Sequence, residues 1–262
     1  MTLLSYGVAL LLGTLAAVGL FFFSATRGAL LVRGALGRLR GEDAHVYPLY
    51  SDMRLIRLVD CQPIIAAILL FQYSRLVSII TQGMQHIDLH GRRVLITSCA
   101  FGNVMPRVVR AAAQAGASKV LVADIIQNEL DHAMRKLADY REYIEPMRDN
   151  AVSMRLQDGS VSANVMFFLL HELPHAYKED VVREAIRVLA PGGKLFLAEF
   201  HRPGPWLLRA LSWVYFKVFE PYGLALWDTH DPVTLLEAMP GVTCERHLAF
   251  FGNFQVIVAT KE

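Results

Sequence analysis

Charge is scarce in this sequence. Only 19% of residues are Asp, Glu, Lys or Arg, and 26 basic side chains nearly cancel 24 acidic ones, for a formal net charge of +2. So even a balance, with no basic run interleaved with aromatics, excludes a nucleic-acid binder from the expected functions. Cysteine is scarcer still. Cys61, Cys99 and Cys244 form no Cys-x-x-Cys pair and are odd in number, so neither a zinc site nor a disulfide framework is expected, and a reducing compartment suits them. There is no internal repeat and no low-complexity tract. What is plentiful is apolar: 54% of the 262 residues are hydrophobic, enough for one full core with a short appendage.

The appendage stands at the start. No charged side chain occurs from Thr2 to Thr26, and the run Leu3–Phe23 reaches the ~20 residues a helix needs to cross a bilayer. A cleavable signal would carry its basic residues before the apolar run. Here Arg27, Arg33, Arg38 and Arg40 follow it, with no acid until Glu42. By the positive-inside rule the following domain faces the cytoplasm, or the matrix in a mitochondrion, and the arginines favour anionic headgroups. A buried N-terminal helix is the alternative, but the run has no polar face. Residues 1–26 are therefore expected to form a transmembrane or anchor helix at the cytoplasmic or mitochondrial inner membrane. Residues 27–92 are expected to form a basic collar and helical lid region. Within them, 63–85 reads as one amphipathic or core helix rather than a second span.

From Arg93 onward strand and helix signals alternate. VLIT (94–97), VLVAD (120–124), AVSMR (151–155), ANVMFFLL (163–170) and KLFLAEF (194–200) read as strands. Helices are expected at 106–116, near 127–142, at 178–189 and at 231–239, with an antiparallel pair over 242–250 and 254–260. This alternation predicts an α/β fold: a Rossmann-like, seven-stranded, mostly parallel sheet with helices on both faces and its ligand at the carboxyl ends of the strands.

Four ordered blocks carry a family resemblance: VLITSCAFGN (94–103), Asp124, RDNAVSMRLQDGSVSANVMFFLLHELP (148–174) and EAIRVLAPGGKLFLAEFHRP (184–203). Over roughly 90–260 the chain resembles class I S-adenosylmethionine (SAM) methyltransferases, especially the ubiquinone/menaquinone C-methyltransferase branch. The resemblance implies SAM as co-substrate. A carboxylate ending the second strand, Asp124, is placed for the ribose hydroxyls, and Asp149 with Asn150 for the adenine edge. The small residues Ser98, Ala100 and Gly102, beside Cys99, admit close backbone approach, and Asn103 is placed to cap the following helix.

One departure matters. The resemblance implies an acid at position 97, holding the cofactor's ammonium, and glycines at 98 and 100; this chain has Thr97, Ser98 and Ala100. Without that acid the amine is less favoured in its charged, non-nucleophilic form. With TSCAFGNVMPR and FFLLHELP, this resembles the rhodoquinone-biosynthesis proteins, which implies conversion of ubiquinone to rhodoquinone with SAM as amino donor and Mn(II) as cofactor. A divalent ion would polarise the quinone toward an amine. His171 and Glu172, with His175 three residues beyond, are candidate metal ligands or proton acceptors, and Glu199 and His201 form a second candidate metal pair. Tyr50 and Tyr47 stand where a lid would cover a quinone ring, Tyr50 with a catalytic role. The insertion 205–227, with all three tryptophans, suits an interfacial helix or the mouth of an isoprenoid channel. The competing readings are a conventional SAM methyltransferase acting on a polyprenyl quinol or other lipid, and a non-catalytic scaffold for quinone enzymes.

Overall fold

A computed structural model describes residues 3–36, Tyr47, Tyr50 and 52–262. Arg38 and Arg40 of the collar, and most of the 37–51 stretch, lie outside the described residues. The chain opens with α1 (Leu3–Phe23), a π-helical turn at Ser24–Gly28 and α2 (Ala29–Ala35). Side chains such as Leu10, Leu12 and Leu20 on α1 stand exposed. Among the described residues no single helix is long and apolar enough to cross a membrane; the apolar stretch Ser5–Phe21 is shorter than a span requires. The expectation that residues 1–26 span a bilayer thus finds no support in this helix.

Three helices lead into the sheet: α3 (Met53–Val59), α4 (Gln62–Ile68) and α5 (Tyr73–Met84). The single helix expected over 63–85 is in fact two, bent by 95°. The elbow is Leu70 and Phe71, both at positive φ (49° and 60°), a conformation no periodicity rule assigns to bulky residues.

The sheet contains β1 (Arg93–Thr97), β2 (Lys119–Asp124), β3 (Ile144–Arg148), β4 (Val161–Phe167), β5 (Leu189–Phe200), β6 (Val242–Ala249) and β7 (Phe254–Lys261). Their order is β3-β2-β1-β4-β5-β7-β6. β1 to β5 pair in parallel, while β7 runs antiparallel to both β5 and β6. The helices between them are α6 (Val104–Gln114), α7 (Gln127–Lys136), α8 (His175–Arg187), α9 (Trp206–Val218) and α10 (Pro232–Glu237), with a 3-10 segment at Pro221–Trp227. Alternate strand residues feed two separate cores. Val94, Ile96, Val120, Val122, Phe196 and Ala198 pack on one face; Leu95, Leu121, Leu195 and Leu197 pack on the other. Burial on both faces is why these strands read as continuous apolar runs.

Two details depart from the sequence reading. The third strand is IEPMR at 144–148, not AVSMR at 151–155, which forms only the isolated bridge Asn150–Ser153. Pro146 is tolerated because β3 is an edge strand. The Pro191-Gly192-Gly193 turn falls inside β5, at a register shift between Val161 and Ala163 of β4. A Cβ on Gly193 would sit 2.8 Å from Ala190 O, so glycine is required there.

Candidate active site

Sheet order reverses between β1 and β4, and a cavity of about 400 Å³ opens at the carboxyl ends of these strands, where open α/β sheets bind ligands. Asp124 ends β2 and is almost fully buried on its wall. Its Oδ2 accepts the Cys99 N–H at 2.7 Å and the Ser98 hydroxyl at 3.3 Å, and its Oδ1 accepts the Ile126 N–H at 2.8 Å. Burial raises its pKa, opposed by the backbone N–H bonds. One carboxylate thus joins the loop after β1 to the start of α7.

That loop is narrow for reasons the sequence does not display. Ser98 adopts φ 72° and Gly102 φ 76°. Gly102 donates its N–H to Asp60 Oδ1 at 2.5 Å, and Asn103 donates to Gln62 Oε1 at 3.1 Å. The Tyr73 hydroxyl donates to Phe101 O at 3.2 Å and accepts from Val104 N at 2.6 Å. Asp60 Oδ2 also binds His132 Nε2 and Lys136 Nζ on α7, at 2.6 and 2.7 Å. Asn103 does occupy the N-cap position of α6, but its side chain makes no capping bond. Ala100 lines the cavity; Gly102 does not. Gly102 acts by letting the loop pass Tyr73.

Thr97 lines the cavity too, with its hydroxyl donated to Asn164 Oδ1 on β4 at 2.8 Å. The position is neutral, and its polar atom points to the neighbouring strand. Asp149 and Asn150 also reach the wall. The Asp149 carboxylate, however, is engaged by its own loop: Oδ1 accepts from Asn150 N at 3.0 Å and Oδ2 from Arg155 N at 2.8 Å.

On the opposite side, Tyr50 donates its hydroxyl to Glu172. His171 Nδ1 lies 3.0 Å from Glu199 Oε1, which also receives the His171 N–H at 3.2 Å, while His171 Nε2 is 3.9 Å from Glu172. Burial works against a charge on His171, but the Glu199 carboxylate, joined by Glu172 and Glu220, lifts the imidazole to about 9. The second expected metal pair is not brought together. His201 lies just past β5, with Nδ1 2.7 Å from Gly252 O and Nε2 3.2 Å from Arg246 Nη1. Its backbone N–H bonds to Asn253 O, turning the ring onto the β6–β7 hairpin and away from Glu199. Among the described residues no group of three or more His, Cys, Asp or Glu is arranged to hold a metal ion. The Glu199 oxygens are already engaged by His171 and the Phe200 N–H. His171, Glu172, Glu199 and His201 therefore do not fit a manganese site.

Two acids escaped the sequence reading. Glu129, in the first turn of α7, is buried in the cavity wall with Oε1 unpartnered; burial, then Asp124, lifts it to about 9. It sits in a charged helix that reads as solvated. Glu220 accepts the Tyr47 hydroxyl at 2.5 Å, and burial lifts it to about 8. Its signal was available: it is the one acid in the aromatic stretch 205–227. The wall thus gathers Asp124, Glu129, Glu172 and Glu220. Such a set favours a cationic ligand rich in hydroxyl and ammonium donors, and the orphaned Glu129 oxygen awaits one.

Fold and site together are similar to a class I methyltransferase-type domain, and its co-substrate SAM, a sulfonium with an ammonium and a ribose diol, suits this donor set. Residues 94–193 match the family model described as a methyltransferase domain. The chain is 29% identical over 133 residues to the ubiquinone/menaquinone biosynthesis C-methyltransferase UbiE of Ectopseudomonas mendocina, covering 50% of each protein. It is 36% identical over 104 residues to the mitochondrial 2-methoxy-6-polyprenyl-1,4-benzoquinol methylase of Caenorhabditis elegans, covering 38% of this chain and 34% of that one. The chain spans about half the length of the bacterial quinone methyltransferase relatives it matches. Among solved structures, the CurJ carbon methyltransferase aligns with a TM-score of 0.65 at 16% identity, over 98% of this chain and 70% of that one. A SAM-dependent methyltransferase from Aquifex aeolicus aligns at 0.52 and 17% identity, over 80% and 99%. These likenesses show the fold.

Proposed function

We propose that this chain is a SAM-dependent methyltransferase acting on the ring of a polyprenyl quinol in quinone biosynthesis. The observation that carries this reading is the cavity itself: carboxylates at the end of β2, in the first turn of α7 and beyond β4, aromatic walls from Tyr50, Phe168 and Tyr215, and relatives named for quinone and quinol methylation. Asp124 holds the ribose hydroxyls, and Glu129 takes a remaining donor of the co-substrate. When bound, SAM supplies an electrophilic methyl carbon. Phe168 and Tyr215 enclose a planar ring and exclude water, and Tyr50 fixes Glu172 beside it. Charged His171, oriented by Glu199, donates from Nε2 to a ring oxygen, and Glu172 accepts the proton that the ring loses. The helix α1 associates the chain with the cytoplasmic or mitochondrial inner membrane, where such a lipid resides.

A second reading is favoured by one observation, the neutral Thr97–Asn164 pair where the resemblance implies an acid. In it, the SAM nitrogen displaces a methoxy group of ubiquinone as methanol, and elimination across the Cα–N and Cβ–H bonds of the SAM residue then frees the aminoquinone, rhodoquinone. No metal step enters either reading. Incubation of the chain and quinone or quinol with SAM labelled on the methyl carbon, or on the amino nitrogen, separates them. Methyl label in the product is the expected result; nitrogen label would replace the first reading with the second, and label from neither would sink both.

A further inference from the structure

α9 has two faces of opposite use. Inward, Tyr215 lines the cavity and Phe216 is buried against Phe200 at 5.0 Å. Outward, Trp206, Leu207, Leu211, Trp213, Val214 and Val218 are exposed, Trp206 at 76% and Leu211 at 61%. A second, separate segment joins them: the β6–β7 turn carries Phe251, 72% exposed, and its carbonyl accepts the Gly204 N–H at 3.0 Å just before α9 begins. A contiguous apolar face of this kind is rare on a freely dissolved domain.

We infer that the outward face of α9, with Phe251, rests in the interfacial layer of a lipid bilayer and sets the catalytic cavity against it. Charge argues for lipid over a protein partner. From His201 to Phe219 the sequence holds Arg202, Arg209 and Lys217 and no acid, and the shallow hollow that Trp206 and Trp213 line with Arg202 and Arg209 carries one acid, Asp228. Lys217 Nζ lies 5.5 Å from the centre of the Trp213 ring, a cation–π contact in the last turn of the same helix. Tryptophan and aliphatic side chains on one side with cations at the rim are the pattern of helices lying in the headgroup layer. Because the same helix walls the cavity, a lipid substrate would pass from bilayer to Tyr215 without crossing water. This rests on the lipid-substrate reading above. It adds a contact independent of α1, which contains no tryptophan.

The full chain is mixed with anionic phospholipid vesicles whose acyl chains carry bromine, a short-range quencher, and with unbrominated vesicles. Trp206 and Trp213 lie on the proposed contact, while Trp227 is half-buried against Phe216, 5.8 Å between rings. Bromine is expected to lower the emission by at least about twofold, and Trp206→Phe/Trp213→Phe to abolish that difference. Leu211→Glu, on the solvent side and therefore compatible with folding, should slow turnover of a long-tailed quinol several-fold, on the order of the affinity one buried apolar side chain gives, and leave a short-tailed soluble analogue unaffected. Vesicle-bound chain with equal emission in both lipids would overturn the inference. So would a lipid-free dimer with blue-shifted, unquenchable tryptophans, which would assign the face to a second copy. Quenching without transfer to any quinol would instead discard the function and keep the membrane contact.

Discussion

The Asp60 carboxylate accepts the backbone N–H of Gly102 at 2.5 Å across 42 residues of sequence, and its other oxygen binds His132 and Lys136. The end of α3, the loop after β1 and the helix α7 therefore meet on one side chain.

Replacing Asp60 by Asn removes a charge-assisted bond to the loop. SAM affinity should fall about tenfold, the ~1.5 kcal/mol such a bond is worth, as read by titration calorimetry. Burial pushes the Asp60 carboxyl up, but Lys136, the Gly102 N–H and His132 pull it below its ordinary 3.8. A carboxylate with a depressed folded pKa stabilises fully above its unfolded value and ceases to as pH falls through the folded one. The wild-type advantage over Asp60→Asn in thermal melts should thus hold at neutral pH and shrink below about pH 4. An advantage unchanged in acid would contradict this.

Gly102 has φ 76°, and a Cβ there would lie 2.5 Å from the Tyr73 hydroxyl oxygen. Gly102→Ala should cost roughly 2–4 kcal/mol through backbone strain and collision. Combining it with Tyr73→Phe removes the nearest contact but leaves ring carbons at 2.7 and 2.9 Å, and loses the bonds to Val104 and Phe101, so the double variant should be only modestly more stable than additivity predicts. Denaturant unfolding of the four proteins measures the coupling; strict additivity would mean the loop shifts away freely.

Asp124→Asn keeps the shape but turns one acceptor oxygen into a donor group facing the Cys99 N–H or the Ile126 N–H. Binding of SAM should weaken by at least about tenfold and the melting temperature should drop by several degrees. Retained affinity with lowered stability would reduce Asp124 to a structural clamp for the loop.

Glu220 gives a pH signature of the opposite sign. Its folded pKa of about 8 lies above the ordinary 4.5, chiefly through burial, with Glu172 and Glu199 adding to it and His171 and the Tyr47 bond opposing. Its contribution to stability is complete below about pH 4.5 and is lost as pH rises through about 8. Glu220→Gln, still able to accept from Tyr47, should therefore gain on the wild type as pH rises and match it in acid. Unfolding free energies across that range decide the matter.

The strands at 94–97, 120–124 and 194–200 were legible because both their faces are buried, so apolar runs mark them whatever the tertiary context. Asp124 was legible because it follows such a run directly. β3 was not: Ile144–Arg148 is an edge strand with Glu145 and Pro146, and nothing in its composition competes with AVSMR next to it. The bend at Leu70–Phe71 comes from packing and has no glycine to announce it. Asp60, Tyr73 and Glu129 were missed for a common reason. Their partners lie 31 to 42 residues away, or across the cavity, and a polar residue in a helix reads as solvated until the fold closes over it. The apparent pairing of Glu199 with His201 failed because β5 ends between them.

The loop after β1 has its amides satisfied by Asp60 and Gln62 and its carbonyl at Phe101 by Tyr73. The two regions are consequently not interchangeable parts. A chimera that grafts residues 52–84 of a relative onto this sheet inherits a working co-substrate loop only if it brings an acid, an amide and a tyrosine at these three positions together, and drift at any one of them constrains the other two.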